Sequence, residues 1–318
     1  MKKTVYLLSL SVLLAPYSIA QKWKDLRNEL IVGVGAANFL GDLGGANQIG
    51  TNFAKDLEWS LTKPEIHLGF RYKIQQWLAV KSSFTYTNIS GDDKLTDELF
   101  RSYRNLSFRS PIVELAIQFE PAIVREKIGS EHSLRGVKGQ TGLLLHVYPF
   151  VGLAVFYFNP KGQVPDTDSK GNPLDKAGQW VALRPLGTEG QELFASRKKY
   201  SLIQIAIPWG FGIKFGFNRR ISAGLELGMR KTFTDYIDDV STTYVDNEYI
   251  LIQKGEIAAV MADRSTRTDP VKTDAGEQRG DPSDKDAYII AAFSLNYRFN
   301  FGRVSKSRPK FFSRPINR

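Results

Sequence analysis

The chain contains no cysteine, and histidine and methionine occur three times each. Without thiols there is no disulfide, no thiolate metal centre, no lipid on a mature N-terminal cysteine and no cysteine nucleophile, so a fold of this size must hold by packing alone. Long apolar runs are scarce as well. Beyond the first twenty residues the longest runs from Val147 to Phe158, and Pro149 and Gly152 interrupt it. It falls short of the ~20 residues that a membrane helix needs. If this chain enters a membrane, it does so as a barrel.

The first twenty residues read separately. Lys2 and Lys3 precede the apolar run TVYLLSLSVLLA, and YSIA follows with Ser18 and Ala20 at cleavage offsets. This is the pattern of a secretory signal peptide over 1–20, with a mature chain from Gln21. The alternative, a membrane anchor, would need a longer apolar core. The rest, 42% apolar and 12% aromatic with 27 glycines overall, suits one large domain rich in strands and turns.

Period-two alternation supplies the architecture. From Pro64 to Ile74, Ile66, Leu68, Phe70, Tyr72 and Ile74 alternate with Glu65, His67, Gly69, Arg71 and Lys73. From Ser201 to Phe217, Ile203, Ile205, Ile207, Trp209, Phe211, Ile213 and Phe215 face away from Gln204, Ala206, Pro208, Gly210, Gly212, Lys214 and Gly216. Both read as strands with one apolar face, and the period excludes helix. Six more segments follow the pattern: Glu29–Leu40, Trp77–Ser90, Ser107–Ile123, Thr141–Phe158, Arg220–Phe233 and Tyr288–Phe301. They exceed the five or six residues of a typical soluble strand and match the ~9 to 11 of a transmembrane one.

Short links at 75–76 and 218–220 alternate with long ones at 41–63, 91–106, 159–199 and 234–287, and the link 125–140 is a long exception on the short side. Tight turns at one end and long loops at the other are the habit of outer-membrane barrels. The expected fold is therefore all-β: an eight-stranded antiparallel up-and-down transmembrane barrel over 21–301, with long extracellular loops and a periplasmic tail over 302–318. A lipocalin-like soluble barrel is the rival. The large residues on the apolar face, Phe84, Tyr86, Trp209, Phe211, Phe215, Tyr297 and Phe299, with small residues opposite, favour outer-membrane lipid as the surrounding.

So narrow a barrel should fill with its own side chains, and buried charges must pair. The expected network sets His67, Arg71, Lys73 and Lys81, with Arg230 and Arg298, against Glu114, Glu120 and Glu226. Catalysis finds little footing. His67 is mid-strand, His132 lies in the turn-side link and His146 near a strand start, and none sits beside an obvious serine or acid at the outer rim. The stretch TDYIDDVS offers Asp235, Asp238 and Asp239 as paired carboxylates or calcium ligands, but without the ladder spacing of a calcium loop. Turn capping by those residues is the competing account. GAANFLGDLGG at 35–45 lacks the Lys-Ser/Thr ending of a phosphate loop. No cofactor, metal, nucleic acid or small-molecule substrate is expected.

The formal net charge of +10 is unevenly spread. The turn-side segments 21–28, 125–140, 218–220 and 302–318 together carry +12, whereas the loop 234–286 carries −7. Arg219, Arg220, Arg303, Lys306, Arg308, Lys310 and Arg314 make the turn side a candidate docking surface for a periplasmic partner, and Phe311 and Phe312 are candidate anchors in the tail. A merely solvated tail is the alternative.

Six stretches carry a resemblance: FLGDLGG (39–45), RNLSFRSPIVE (104–114), FYFNPKG (156–162), LRPLGTEGQ (183–191), IPWGFGIKF (207–215) and FTDYIDDVSTTY (233–244). In this order they resemble the PorG-like outer-membrane barrels of the type IX secretion system, PLGTEGQ and TDYIDDVS being the most specific. The resemblance implies a non-enzymatic barrel that contacts a large periplasmic ring, made of a lipoprotein and its partner subunit, and tethers it to the membrane. An outer-membrane hydrolase using the acidic loop, or a plain structural or adhesive barrel, are the other readings. LRPLGTEGQ, in the third long loop, is expected to face outward or to fold over the barrel mouth.

Overall fold

The computed structural model describes residues 26–43, 59–95, 99–126, 144–168, 170–265 and 273–300. The expected signal peptide and tail lie outside them. Eight long strands close a barrel: β1 (Asn28–Leu40), β2 (Lys63–Lys73), β3 (Leu78–Asp92), β4 (Ser107–Pro121), β5 (Leu145–Phe158), β8 (Ile203–Gly216), β9 (Ile221–Thr232) and β10 (Ala287–Phe299). Each pairs antiparallel with its neighbours, and β1 to β10 together with β3 to β4 completes the ring.

The stagger follows from the register. Stepping across paired residues from Asn28 through Tyr72, Val80, Phe119, Val151, Trp209, Met229 and Ile289 returns to β1 at Asn38, ten residues beyond the start. Strands so staggered tilt roughly 35–45° from the barrel axis and leave an interior just wide enough for side chains.

Two short strands add to the expected eight. β6 (Lys161–Gln163) and β7 (Trp180–Ala182) form a hairpin that continues the sheet above β5, joining β4 through the pair Arg109 and Lys161. The long loops also hold short helices, α1 (Leu99–Arg104), α2 (Asn247–Lys254) and α3 (Glu256–Ala262). Asp246 caps α2 by accepting from the Glu248 amide at 3.0 Å. Segments of three to eight residues are too short for periodicity to reveal. The turns are tight, as expected: Phe217 N donates to Ile221 O at 3.0 Å, and Asn218 Oδ1 accepts from the amides of Arg220 and Ile221.

Alternation sorts the faces. On β2, Glu65, His67, Arg71 and Lys73 are buried, while Ile66 and Leu68 are each 56% exposed. Leu115, Leu153, Phe211, Leu227 and Leu295 carry the same exposed apolar surface around the barrel. Patches of that extent are uncommon on soluble monomers. No helix among the described residues is long and apolar enough to cross a membrane, which leaves strand crossing untouched.

Glycine permits the interior crowding. A Cβ on Gly33 would meet His67 Cε1 at 2.1 Å, and one on Gly212 would meet the Tyr148 ring at 2.4 Å. Gly212→Val is therefore expected to displace Tyr148 and to destabilise the barrel by about 1–3 kcal/mol. Urea titration read by the heat-dependent gel migration of the folded barrel checks this.

Candidate functional site

The lumen divides into two zones. In its lower half Arg71 is the hub: Nε donates to Glu120 Oε2 at 2.5 Å, Nη2 to Glu120, Glu226 and Tyr148 Oη at 3.0–3.2 Å, and Nη1 lies 3.4 Å from Glu29. Lys214 donates to both Glu29 oxygens at 2.9 and 3.0 Å. Lys81 pairs with Glu226, and Lys73 with Glu126. Arg298 Nη2 donates to Glu126 Oε2 at 2.5 Å. Higher up, Arg230 contacts Glu114 at 3.4 Å, Tyr288 Oη donates to Glu114 at 2.6 Å, and His67 meets Glu65 at 2.9 Å.

His67, Arg71, Lys73, Lys81, Glu114, Glu120, Arg230 and Arg298 are thus buried inside, with Glu226 partly buried beside them. Glu29, Glu65, Glu126 and Lys214 belong to the same network and were not among the expected members. Lys214 and Glu29 already sit at inward parity, so alternation carried that signal. Glu126 enters from the turn-side link, where no strand pattern announces it. A buried pair adds little stability against an apolar substitute, but removing one partner leaves a charge that nothing in the lumen solvates.

The upper lumen is apolar, and the paired charges lie below it. Phe39, Phe108, Ile112, Phe156, Phe158, Tyr288 and Ile290 pack there with Leu43, Leu183, Ile237 and Val240 from the loops. Between the zones lies a cavity of ≈ 20 Å³ lined by Glu65, His67, Lys81, Ser83, Thr85, Gln118 and Arg230, among others. That is room for about one water.

The loops close the mouth. Phe158, Tyr200 and Tyr236 stack at centroid distances of 6.0 and 4.7 Å, joining the lumen to the loops above. LRPLGTEGQ folds over the mouth and does not face outward: Thr188, Glu189 and Gln191 are buried. Gly187 and Gly190 supply the left-handed turns at φ +67° and +75°. Glu189 Oε1 accepts from the amides of Ser241 and Thr242 at 2.9 and 3.1 Å and from Arg279 at 3.0 Å, and Oε2 accepts from Thr242 Oγ1 at 2.7 Å. Arg104 binds both oxygens of Asp93 at 2.8 Å and the carbonyls of Asp42 and Arg279, fastening three loops together.

Asp235, Asp238 and Asp239 are internal to this cap. Asp235 accepts from Ser241 Oγ, Asp238 from the amides of Leu43 and Val240, and Asp239 from Thr188 Oγ1 and Tyr200 Oη, all at 2.5–3.0 Å. They hold loops by turn and hydroxyl capping, and no acidic group suited to a metal occurs among the described residues.

At the opposite end the described part of the basic rim comprises Arg125 and Arg220, exposed, Arg27, half-buried and donating to Tyr72 Oη at 3.1 Å, and Arg219, half-buried, whose carbonyl accepts from Arg298 at 3.2 Å. Arg303, Lys306, Arg308, Lys310, Phe311, Phe312, Arg314 and His132 lie outside the described residues. His146 is buried against Tyr148, with ring centroids 5.2 Å apart.

No family model matches the chain, and no curated protein matches it. Solved structures align with most of the chain at low similarity. Ail, the attachment invasion locus protein of Yersinia pestis, in complex with a heparin analogue, is 9% identical with a TM-score of 0.36, over 86% of this chain and 99% of that one. Neisserial surface protein A is 7% identical with a TM-score of 0.34, over 86% and 97%. The N-terminal β-barrel domain of Pseudomonas aeruginosa OprF is 9% identical with a TM-score of 0.31, over 86% and 98%. Likenesses this distant carry no argument about activity. The closed register of this chain establishes the eight-stranded antiparallel barrel by itself.

Burial raises the carboxyls of the cap: Asp42 and Asp239 to about 6, Asp235 to about 7, and Asp238 and Asp286 well above the usual range, with neighbouring acids adding to the last two. A raised acid binds its proton more tightly in the folded state. Its contribution is therefore complete below about pH 4 and is lost as pH climbs through 6 to 7. Hydrogen exchange across 234–243, normalised for intrinsic rate, is expected to be slower at pH 5 than at pH 8, with Asp235→Asn narrowing the difference. An equal difference in that variant contradicts the assignment.

Proposed function

We propose that this chain is an outer-membrane barrel without catalytic activity, an accessory component of the type IX protein secretion machinery that docks a periplasmic ring of lipoprotein and partner subunit on its basic turn side. The apolar belt supports the membrane setting, since lipid is the surrounding in which such a surface is stable. Loop lengths support the orientation, with long loops outside and both termini in the periplasm.

One observation carries the secretion reading. PLGTEGQ and TDYIDDVS, the stretches most specific to the PorG-like resemblance, are 43 residues apart at their nearest ends, yet they interlock through Glu189, Thr188 and Asp239 to make the cap. What the two stretches share is thus one structural device. A lumen filled by ion pairs below and aromatic side chains above suits a scaffold better than a conduit. The exposed arginines of the turn side suit an acidic surface on a large partner.

Affinity isolation of the protein from detergent-solubilised envelopes is expected to bring down large periplasmic subunits. Deleting 303–318 together with Arg219→Gln and Arg220→Gln should weaken their recovery while the barrel still inserts. Undiminished recovery with that variant would show that the basic side is not the dock.

A further inference from the structure

Above the apolar belt, the hairpin of β6 and β7 extends the sheet past the point where β5 leaves β4, the last β4 to β5 pair being Ile112 and Phe158. The inner face of this extension is covered. Gly162 sits against Met261 and Leu183, where a Cβ would meet Met261 Cε at 2.2 Å. The outer face is open and continues the outward side of β4. Arg109 is exposed there, four residues beyond Val113, which places it roughly 10 Å above the belt given the rise and tilt of the strand. Lys161, half-buried, lies directly across from it.

The Arg109 guanidinium lies over the Trp180 ring at 3.9 Å. Neither Arg109 nor Lys161 forms an ion pair with a described residue. Asp92, diagonal to Arg109 across the sheet, has Oδ1 engaged by the Lys94 amide at 3.0 Å. Lys231 on β9 repeats the theme: it is exposed at the next outward position beyond Met229. Two cations held side by side with an indole, just beyond an apolar belt, match a ligand with an acyl body below and phosphate at the headgroup level.

We infer that Arg109, Lys161 and Trp180 form a binding site for the phosphate group of a phosphorylated glycolipid in the outer leaflet. The inference rests on the membrane reading above. Arg109 supplies the forked donor, Lys161 a second positive charge, and Trp180 fixes the guanidinium plane and sits at the interface.

The test reconstitutes the full-length mature protein in phosphatidylcholine vesicles containing either bisphosphorylated lipid A or its dephosphorylated form. Native mass spectrometry then counts the lipid A retained on the released barrel. Wild-type protein should retain the phosphorylated form preferentially. Arg109→Gln and Lys161→Gln should each reduce retention about fivefold, and Lys170→Gln, in the exposed loop, should not change it. Equal retention of the two lipids, or wild-type retention by the double variant, overturns the site. Displacement of the lipid by excess inorganic phosphate assigns the residues to free phosphate and overturns it too. Heat-dependent gel migration reports insertion separately: failure to insert in every vesicle defeats the membrane reading, whereas normal insertion with no lipid preference defeats this inference alone.

Discussion

Closure of eight strands with a ten-residue stagger is the constraint from which the rest follows. It satisfies the main-chain hydrogen bonds between strands, removes both sheet edges, and leaves a lumen that its own side chains nearly fill. Charges on the inward face must then neutralise one another within a few ångströms, and Arg71, in contact with Glu29, Glu120 and Glu226, is where they converge. The outward face is fixed by the same alternation. Whatever lies at even positions on β2 is presented to the surroundings, and there it is Ile66, Leu68 and Tyr72.

The two ends of the barrel solve different problems. The lower end is closed by ion pairs, with Glu126 folding in from the link after β4 to meet Lys73 and Arg298. The upper end is closed by aromatic packing and by loops that bind one another through Glu189, Arg104 and Arg279. Those loops place several carboxyls where burial raises their affinity for a proton, so the cap holds more firmly in mild acid than above neutrality. A basic turn side and a capped mouth at the opposite end make the molecule polar along its axis, as the proposed docking role requires.

Much of this was legible in the residues. β2 and β8 alternate so cleanly that faces and boundaries follow from period two, and Asn218 marks its turn by composition. The upper lumen was harder, because β5 ends in Val155-Phe156-Tyr157-Phe158, apolar at both parities, so the pattern does not say which face is inside. The salt-bridge partners were partly hidden for another reason: Lys214 and Glu29 are 185 residues apart, and pairing across a barrel depends on register, which single segments do not encode. LRPLGTEGQ announced its turns through Gly187 and Gly190 but not its destination. That depended on amides of Ser241 and Thr242 more than fifty residues away.

The most direct test of the central claim exploits the absence of cysteine. Leu295→Cys and Ser294→Cys place spin labels on adjacent residues of β10, one exposed and one buried. In vesicles, the label at 295 is predicted to collide freely with oxygen and to be shielded from a water-soluble nickel complex, while the label at 294 is reached by neither. A label at 295 that the nickel complex relaxes as readily as oxygen does would contradict a barrel with lipid outside and a packed, paired interior.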